Sequence, residues 1–216
     1  MSRSKKIFGL IKKELPGVEL CKDMLVVVPT EHILRGFLIE ATSEKGRIYL
    51  WKVVTPLHRP MRHVLLDYSD RISGSESEIY VDSNTYKDSA AAIRAIVSEH
   101  MGDLRNIRSP NDFLRHISWM IGNSSINFRF DLPLTYYRIG NVRECKDILK
   151  ALNAEVDQLE RKIRMPVDEQ IKQAARVVES NPMRLSSLLD EWESENVEGL
   201  GLQPSRLSST TPRLVG

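Results

Sequence analysis

The chain has 216 residues, 41% hydrophobic and 28% charged, with a formal net charge of +2. That is the composition of a soluble globular protein long enough for one or two cored units, and it argues against a disordered chain. The small total hides a gradient: residues 1–72 carry 13 Lys and Arg against 8 Asp and Glu, residues 73–164 carry 13 against 13, and residues 165–216 carry 5 against 8. A basic first third therefore precedes an acidic end, but the excess is too small to mark a nucleic-acid footprint by itself.

Ile7, Phe8, Ile11 and Leu15 recur at helical spacing, with Lys5, Lys6, Lys12 and Lys13 opposite, until Pro16-Gly17 stops the pattern. Four apolar residues are too few to hold this helix on a membrane, so it is expected to pack on the sheet that follows. No stretch approaches the roughly 18 apolar residues of a membrane span, and the basic N-terminus lacks a small-residue cleavage site, so a cytoplasmic location is expected.

Residues 24–28 form a continuous apolar run ended by Pro29, and residues 33–42 and 47–55 are joined by Ser43-Glu44-Lys45-Gly46, which reads as a hairpin. Gly36 inside the second run marks a bulge or a neighbour packed over bare backbone, with Trp51 as the candidate neighbour. After Pro56 and Pro60, residues 63–68 read as a further strand. The Ser-, Asp- and Glu-rich stretch 73–87 is the expected boundary between sheet and helices.

Ser89 is placed as the cap of a helix with Ala92, Ile93, Ile96, Val97 and Met101 on its apolar face. Ser109-Pro110-Asn111-Asp112 is a stronger start: a capping Ser, Pro at the first helical position, and an acid three residues after the cap. Its stripe is Phe113, Ile117 and Met120/Ile121, ended by Gly122-Asn123. Residues 132–165 read as two helices split at Gly140-Asn141. The second carries Val142, Cys145, Ile148/Leu149, Leu152, Val156, Leu159 and Ile163, and Pro166 stops it. Helices at 168–180 and 183–195 follow, and 199–216 reads as a disordered tail. The fold class is thus α+β, a small antiparallel meander with an N-terminal helix, then a helical array containing one antiparallel hairpin. Its divisions are residues 1–86, 87–198 and the tail.

Tyr136-Tyr137-Arg138-Ile139-Gly140-Asn141-Val142, followed by Cys145, Leu149 and Leu152, resembles the middle of a tetratricopeptide repeat. The match covers one hairpin. Pro133 falls in its first helix, and the upstream Trp and Leu-Gly of that family are absent. The resemblance implies an antiparallel pair of helices that binds protein or peptide, with Tyr136, Tyr137 and Arg138 near the binding face, and it implies no catalysis.

Chemistry-bearing patterns are sparse. His32, His58, His63, His100 and His116 make no HxxxH or HExxH pair, and Cys21 and Cys145 lie far apart outside any CxxC motif, so neither a metal, a cofactor nor a disulfide is expected. No GxSxG, SxxK or paired-acid motif is present. The segment His58-Arg59-Pro60-Met61-Arg62-His63 is the densest basic patch. With Lys45, Arg47 and Lys52 it offers an anion or nucleic-acid surface, the alternative reading, although no Gly-rich loop precedes a helix to cradle a phosphate. His58, His63, Asp67 and Asp70 are the one acid/base cluster available to an enzyme. The acidic segment 190–195 carries Trp192 as a possible docking anchor. A chain with a good core and no catalytic constellation is read as a non-catalytic cytosolic protein-interaction module, an adaptor or inhibitor-type subunit whose partner is another protein.

Overall fold

In the computed structural model, which describes residues 2–72, 79–81, 86–120, 122, 125–158 and 165–202, the chain opens with helix α1 (Arg3–Lys12). The Ser2 hydroxyl caps it by accepting the Lys5 N–H. Ile7, Phe8 and Ile11 turn into the core while the lysines stay outside.

Six antiparallel strands follow: β1 (Val18–Cys21), β2 (Met24–Val27), β3 (Ile33–Ala41), β4 (Arg47–Pro56), β5 (Asp70–Arg71) and β6 (Ile79–Tyr80). They are ordered β1-β2-β3-β4-β5, and β6 also pairs with β4. The meander and the β3–β4 hairpin are as expected, but three details differ. Strand β1 is added by a tight turn at Lys22, whose φ is +50°. Residues 63–68 do not form a strand, because side chains take over the edge of β4 there. The Thr55 hydroxyl donates to the Leu65 carbonyl at 2.7 Å, and the Val54 N–H goes to the Ser69 hydroxyl at 3.3 Å. Gly36 is indeed covered closely, but by backbone: a Cβ there would overlap the Leu25 carbonyl oxygen and lie 3.1 Å from Val26 Cα. Trp51 instead sits opposite Leu38, with its indole N–H on Glu40.

The helices are α2 (Tyr86–Asn106), α3 (Pro110–His116), α4 (Ile126–Arg138), α5 (Val142–Gln158), α6 (Pro166–Ser180) and α7 (Pro182–Leu200). Ser89 lies inside α2 and is buried, so it caps nothing. At α3 the capping box forms as read: the Ser109 hydroxyl accepts the Asp112 N–H and the Asp112 carboxylate accepts the Ser109 N–H at 2.9 Å. The helix is shorter than its stripe suggested, and a 3-10 turn, Ser118–Met120, succeeds it. Helix α4 starts earlier than residue 132 and carries Pro133 within it. Gly140, with φ +89°, makes the break before α5. Helix α7 continues through Leu200 into what composition marks as tail, and Gly201 in the left-handed region ends it. Ile121, Leu159, Ile163, most of 73–87 and residues 203–216 lie outside the described residues.

Three apolar clusters hold these elements. One face of the sheet packs Leu25, Phe37 and Leu50 against Phe8, Ile93, Val97 and Phe113. The other face, with Val26, Leu34 and Val53, is closed by Val197, Leu200 and Leu202 at the end of α7. Helices α4 to α7 form the third, around Phe130, Leu149, Ile171, Leu189 and Trp192. The α4–α5 pair is antiparallel, since Arg129 at the start of α4 reaches Glu155 near the end of α5 with both guanidinium ends, at 2.9 and 2.6 Å. The core runs across residue 86, because α2 and α7 both cover the sheet. Among the described residues no helix is long and apolar enough to cross a membrane.

Candidate functional site

The segment after β4 does not project as a loop; it is threaded between the sheet and the helical array. His58 is wholly buried. The Thr135 hydroxyl donates to the Asp131 carbonyl at 2.8 Å, so its oxygen is left to accept from His58 Nε2 at 3.2 Å. His58 Nδ1 has no partner among the described residues. Burial, reinforced by the positive charge of Arg138 and by the nearby His32, holds the imidazole well below its usual pKa.

Arg59 enters the same seam. Its Nε donates to Asp131 Oδ1 at 2.8 Å and its Nη1 to Asn127 Oδ1 at 3.1 Å, and Asp67 stands 3.8 Å away. The second oxygen of Asp131 accepts the Tyr68 hydroxyl at 2.7 Å. Burial pushes the Asp131 carboxyl up, opposed by the Arg59 charge and by both hydrogen bonds. From α7, the Asn196 amide donates to the Leu57 and Arg59 carbonyls, each at 2.7 Å, and its oxygen accepts the Met61 N–H at 2.9 Å. Residues 57–61 are therefore pinned, side chain and backbone, to α4 and α7.

This placement reassigns most of the residues read from sequence. Of the basic set, Arg59 is neutralised inside the seam, Arg47 pairs with Glu44 at 3.1 Å, and Lys52 pairs with Asp70 at 3.2 Å. Lys45 and Arg62 are exposed. The continuous cationic face that a nucleic-acid backbone engages is not assembled from these five. The acid/base set does not converge either: His58 meets Thr135, Asp67 stands beside Arg59, Asp70 holds Lys52, and His63 is exposed.

The docking residues have turned inward. The Tyr137 hydroxyl donates to the Pro182 carbonyl at 2.7 Å, and Arg138 binds Asp190 at 2.7 Å and Glu193 at 3.1 Å. Tyr136 packs on the helical core. Trp192 is only 4% exposed and meets Phe130 edge-on, with ring centroids 6.4 Å apart. It continues the Leu185, Leu188, Leu189 stripe of α7, so helical periodicity buries it, and Glu193 beside it is spent on Arg138 and on His32 Nδ1 at 2.9 Å.

A concave surface lies just outside the seam. A cleft of about 620 Å³ opens between residues 59–65 and the starts of α4 and α6, with α7 as its far wall. Met61, Leu65, Met165 and Val167 give it an apolar lining, and Arg62, His63 and Glu195 stand at its polar edge. Met165 is 49% exposed. Pro60 and Pro166 stiffen the two sides, and the Asp168 carboxylate accepts the Met165 N–H at 2.9 Å. Among the described residues no group of three or more His, Cys, Asp or Glu is placed to hold a metal ion. Both cysteines are free, and burial pushes the Cys145 thiol up to about 12, which keeps it unreactive.

No family model matches this chain, and no curated protein or solved structure matches it. The tetratricopeptide resemblance rests on its own few residues, which here form the α4–α5 turn.

Asp131, Thr135 and Asn196 are seam residues that the sequence reading passed over, while His32 and Glu193 were met there only as a histidine without a metal partner and as part of the acidic segment 190–195. Asp131 did leave a trace: it stands between Phe130 and Leu132, where an isolated carboxylate among apolar residues implies a buried cation.

Proposed function

We propose that this chain is a non-catalytic binding protein, an adaptor or inhibitor-type subunit of the cytoplasm, that receives a short apolar peptide segment of a partner protein in the cleft beside Met61 and Met165. The observation that carries the reading is a half-exposed methionine set over an apolar floor whose walls are held rigidly by Asn196 and two prolines. A pocket of this size falls within the range of roughly 300–1,000 Å³ that ligand sites occupy. Thioether side chains adapt to varied apolar partners. A wall that does not move on binding loses little conformational entropy, which favours affinity. The opposite charges at the edge, Arg62 against Glu195, orient a bound segment more than they tighten it.

The test is selection of a displayed random-peptide library on the full chain, followed by binding of the enriched peptides to a Met61→Glu/Met165→Glu variant. Met165 is half-exposed and Met61 partly buried, so the unfolding temperature of the variant is measured alongside to separate a loss of fold from a loss of binding. Enriched peptides carrying bulky apolar residues, with binding lost in the variant, support the reading. Failure to enrich any peptide, or equal binding to the variant, overturns it.

A further inference from the structure

A second cleft, of about 490 Å³, lies away from the first, among the Pro16-Gly17 turn, residues Val27–Pro29 at the end of β2, and the end of α2 with its connection to α3. Three arginines line it: Arg35 from the middle of β3, Arg105 from the last turn of α2, and Arg108 just beyond. Glu31 is the single carboxylate among its lining residues.

Arg35 is the informative one. It interrupts the run Ile33-Leu34-Arg35-Gly36-Phe37, all buried, and is itself only 4% exposed. Its Nη2 donates to the Pro29 carbonyl, its Nε finds no partner, and the carboxylates of Glu31 and Asp112 act on it through space without a direct ion pair. A buried guanidinium with an unpartnered N–H and no direct ion pair costs stability, and an apolar side chain of similar length would fill the same space. Where a sequence breaks a packing rule without local compensation, a functional demand is the usual reason.

The other two arginines are positioned in advance. Arg105 Nη2 donates to the Pro16 carbonyl at 2.6 Å, and Arg108 Nε donates to the Arg105 carbonyl at 2.8 Å. Gly17, with φ +76°, leaves room for them: a Cβ there would stand 3.2 Å from Arg105 Nη2. We infer that Arg35, Arg105 and Arg108 form the binding site of a dianionic phosphoryl group belonging to a small phosphomonoester. Each guanidinium keeps further N–H donors after its one main-chain bond, charge-assisted partners for phosphate oxygens, and a dianion offsets the excess of three cations over Glu31. The cleft exceeds what bare phosphate fills, and its remaining walls, Val27, Val28 and Pro29, suit an apolar organic part.

The experiment is calorimetric titration of the full chain with phenyl phosphate, with inorganic phosphate, and with phenol, in low-salt buffer at concentrations into the millimolar range, paired with the unfolding temperature. Expected are saturable binding of phenyl phosphate, a raised Tm, weaker binding of inorganic phosphate, and none of phenol. The decisive variant is Arg105→Glu/Arg108→Glu. Both residues are exposed, the Tm of the unliganded variant checks that the fold is kept, and binding should weaken by about ten-fold or more. Equal affinity for the two phosphates also supports the site and assigns it to the phosphoryl group alone. No saturable binding of either phosphate, or unchanged binding by the double variant, overturns the inference.

Discussion

Two arginines are buried to nearly the same depth, Arg59 at 5% exposure and Arg35 at 4%, in surroundings of opposite kind. Arg59 sits in the seam with Asp131, Asn127 and Asp67 around its guanidinium. Arg35 lines an open cleft with two further arginines and a single hydrogen bond, to a main-chain carbonyl. A buried ion is tolerated when the surrounding chain supplies its counter-charge and its hydrogen bonds, so Arg59 is explained by the fold that encloses it. Arg35 has no direct ion pair among the described residues, with Glu31 and Asp112 acting on it only through space, and the proposed ligand would complete its pairing. Complete pairing marks structure, and incomplete pairing at equal burial marks a place for something else.

The comparison breaks or sharpens under mutation. Arg59→Met strands the Asp131 carboxylate without its cation and should cost about 3–5 kcal/mol of stability in urea unfolding; a loss near zero would mean that the seam contributes no pairing energy. Asn196→Ala removes the amide that serves the Leu57 and Arg59 carbonyls and the Met61 N–H, and each orphaned buried group costs about 1–3 kcal/mol. With three groups orphaned, a net loss of about 3 kcal/mol or more is expected in the same assay, together with faster amide exchange at Met61.

A pH series sharpens the seam side further. Because burial depresses the folded pKa of His58, the unfolded chain takes up a proton near its ordinary value of about 6.5 that the folded chain refuses. The stability from neutral His58 is therefore complete above about pH 6.5 and falls as pH drops below it, until the folded imidazole itself titrates. Asp131 acts in the opposite sense and lower: its folded pKa is raised, so stability declines as pH rises from about 3.9 toward the folded value. Urea midpoints between about pH 7 and pH 5 should fall for the natural chain with a slope of up to about one proton, and a His58→Gln variant should lack that component. The smallest effect is expected at the other arginine. Arg35→Met should change stability by no more than about 1 kcal/mol in either direction, since it breaks no ion pair. A loss as large as that of Arg59→Met would show that the two arginines do the same work and would erase the contrast.

The parts of this protein that the sequence determines are those settled within one turn or one strand pair. Lysines and isoleucines alternate around α1 at the helical period, Gly46 closes the β3–β4 hairpin in the left-handed region, and Ser109 and Asp112 cap α3 across three residues. Those preferences need no distant partner, and the α+β layout follows from them. The fate of the charged and aromatic residues does not. Arg59 and Asp131 are 72 positions apart, and His32 and Glu193 are 161 apart, so no local pattern distinguishes a cation bound for a buried pair from one bound for solvent. Trp192 and Tyr137 have the composition of a binding face and the packing of a core, and only the stacking of α7 on α4 settles which. A residue's chemistry is local, but its burial and its counter-charge are contributed by whatever segment the tertiary fold brings against it, and that contact sets whether the chemistry is spent on the fold or left available to a ligand.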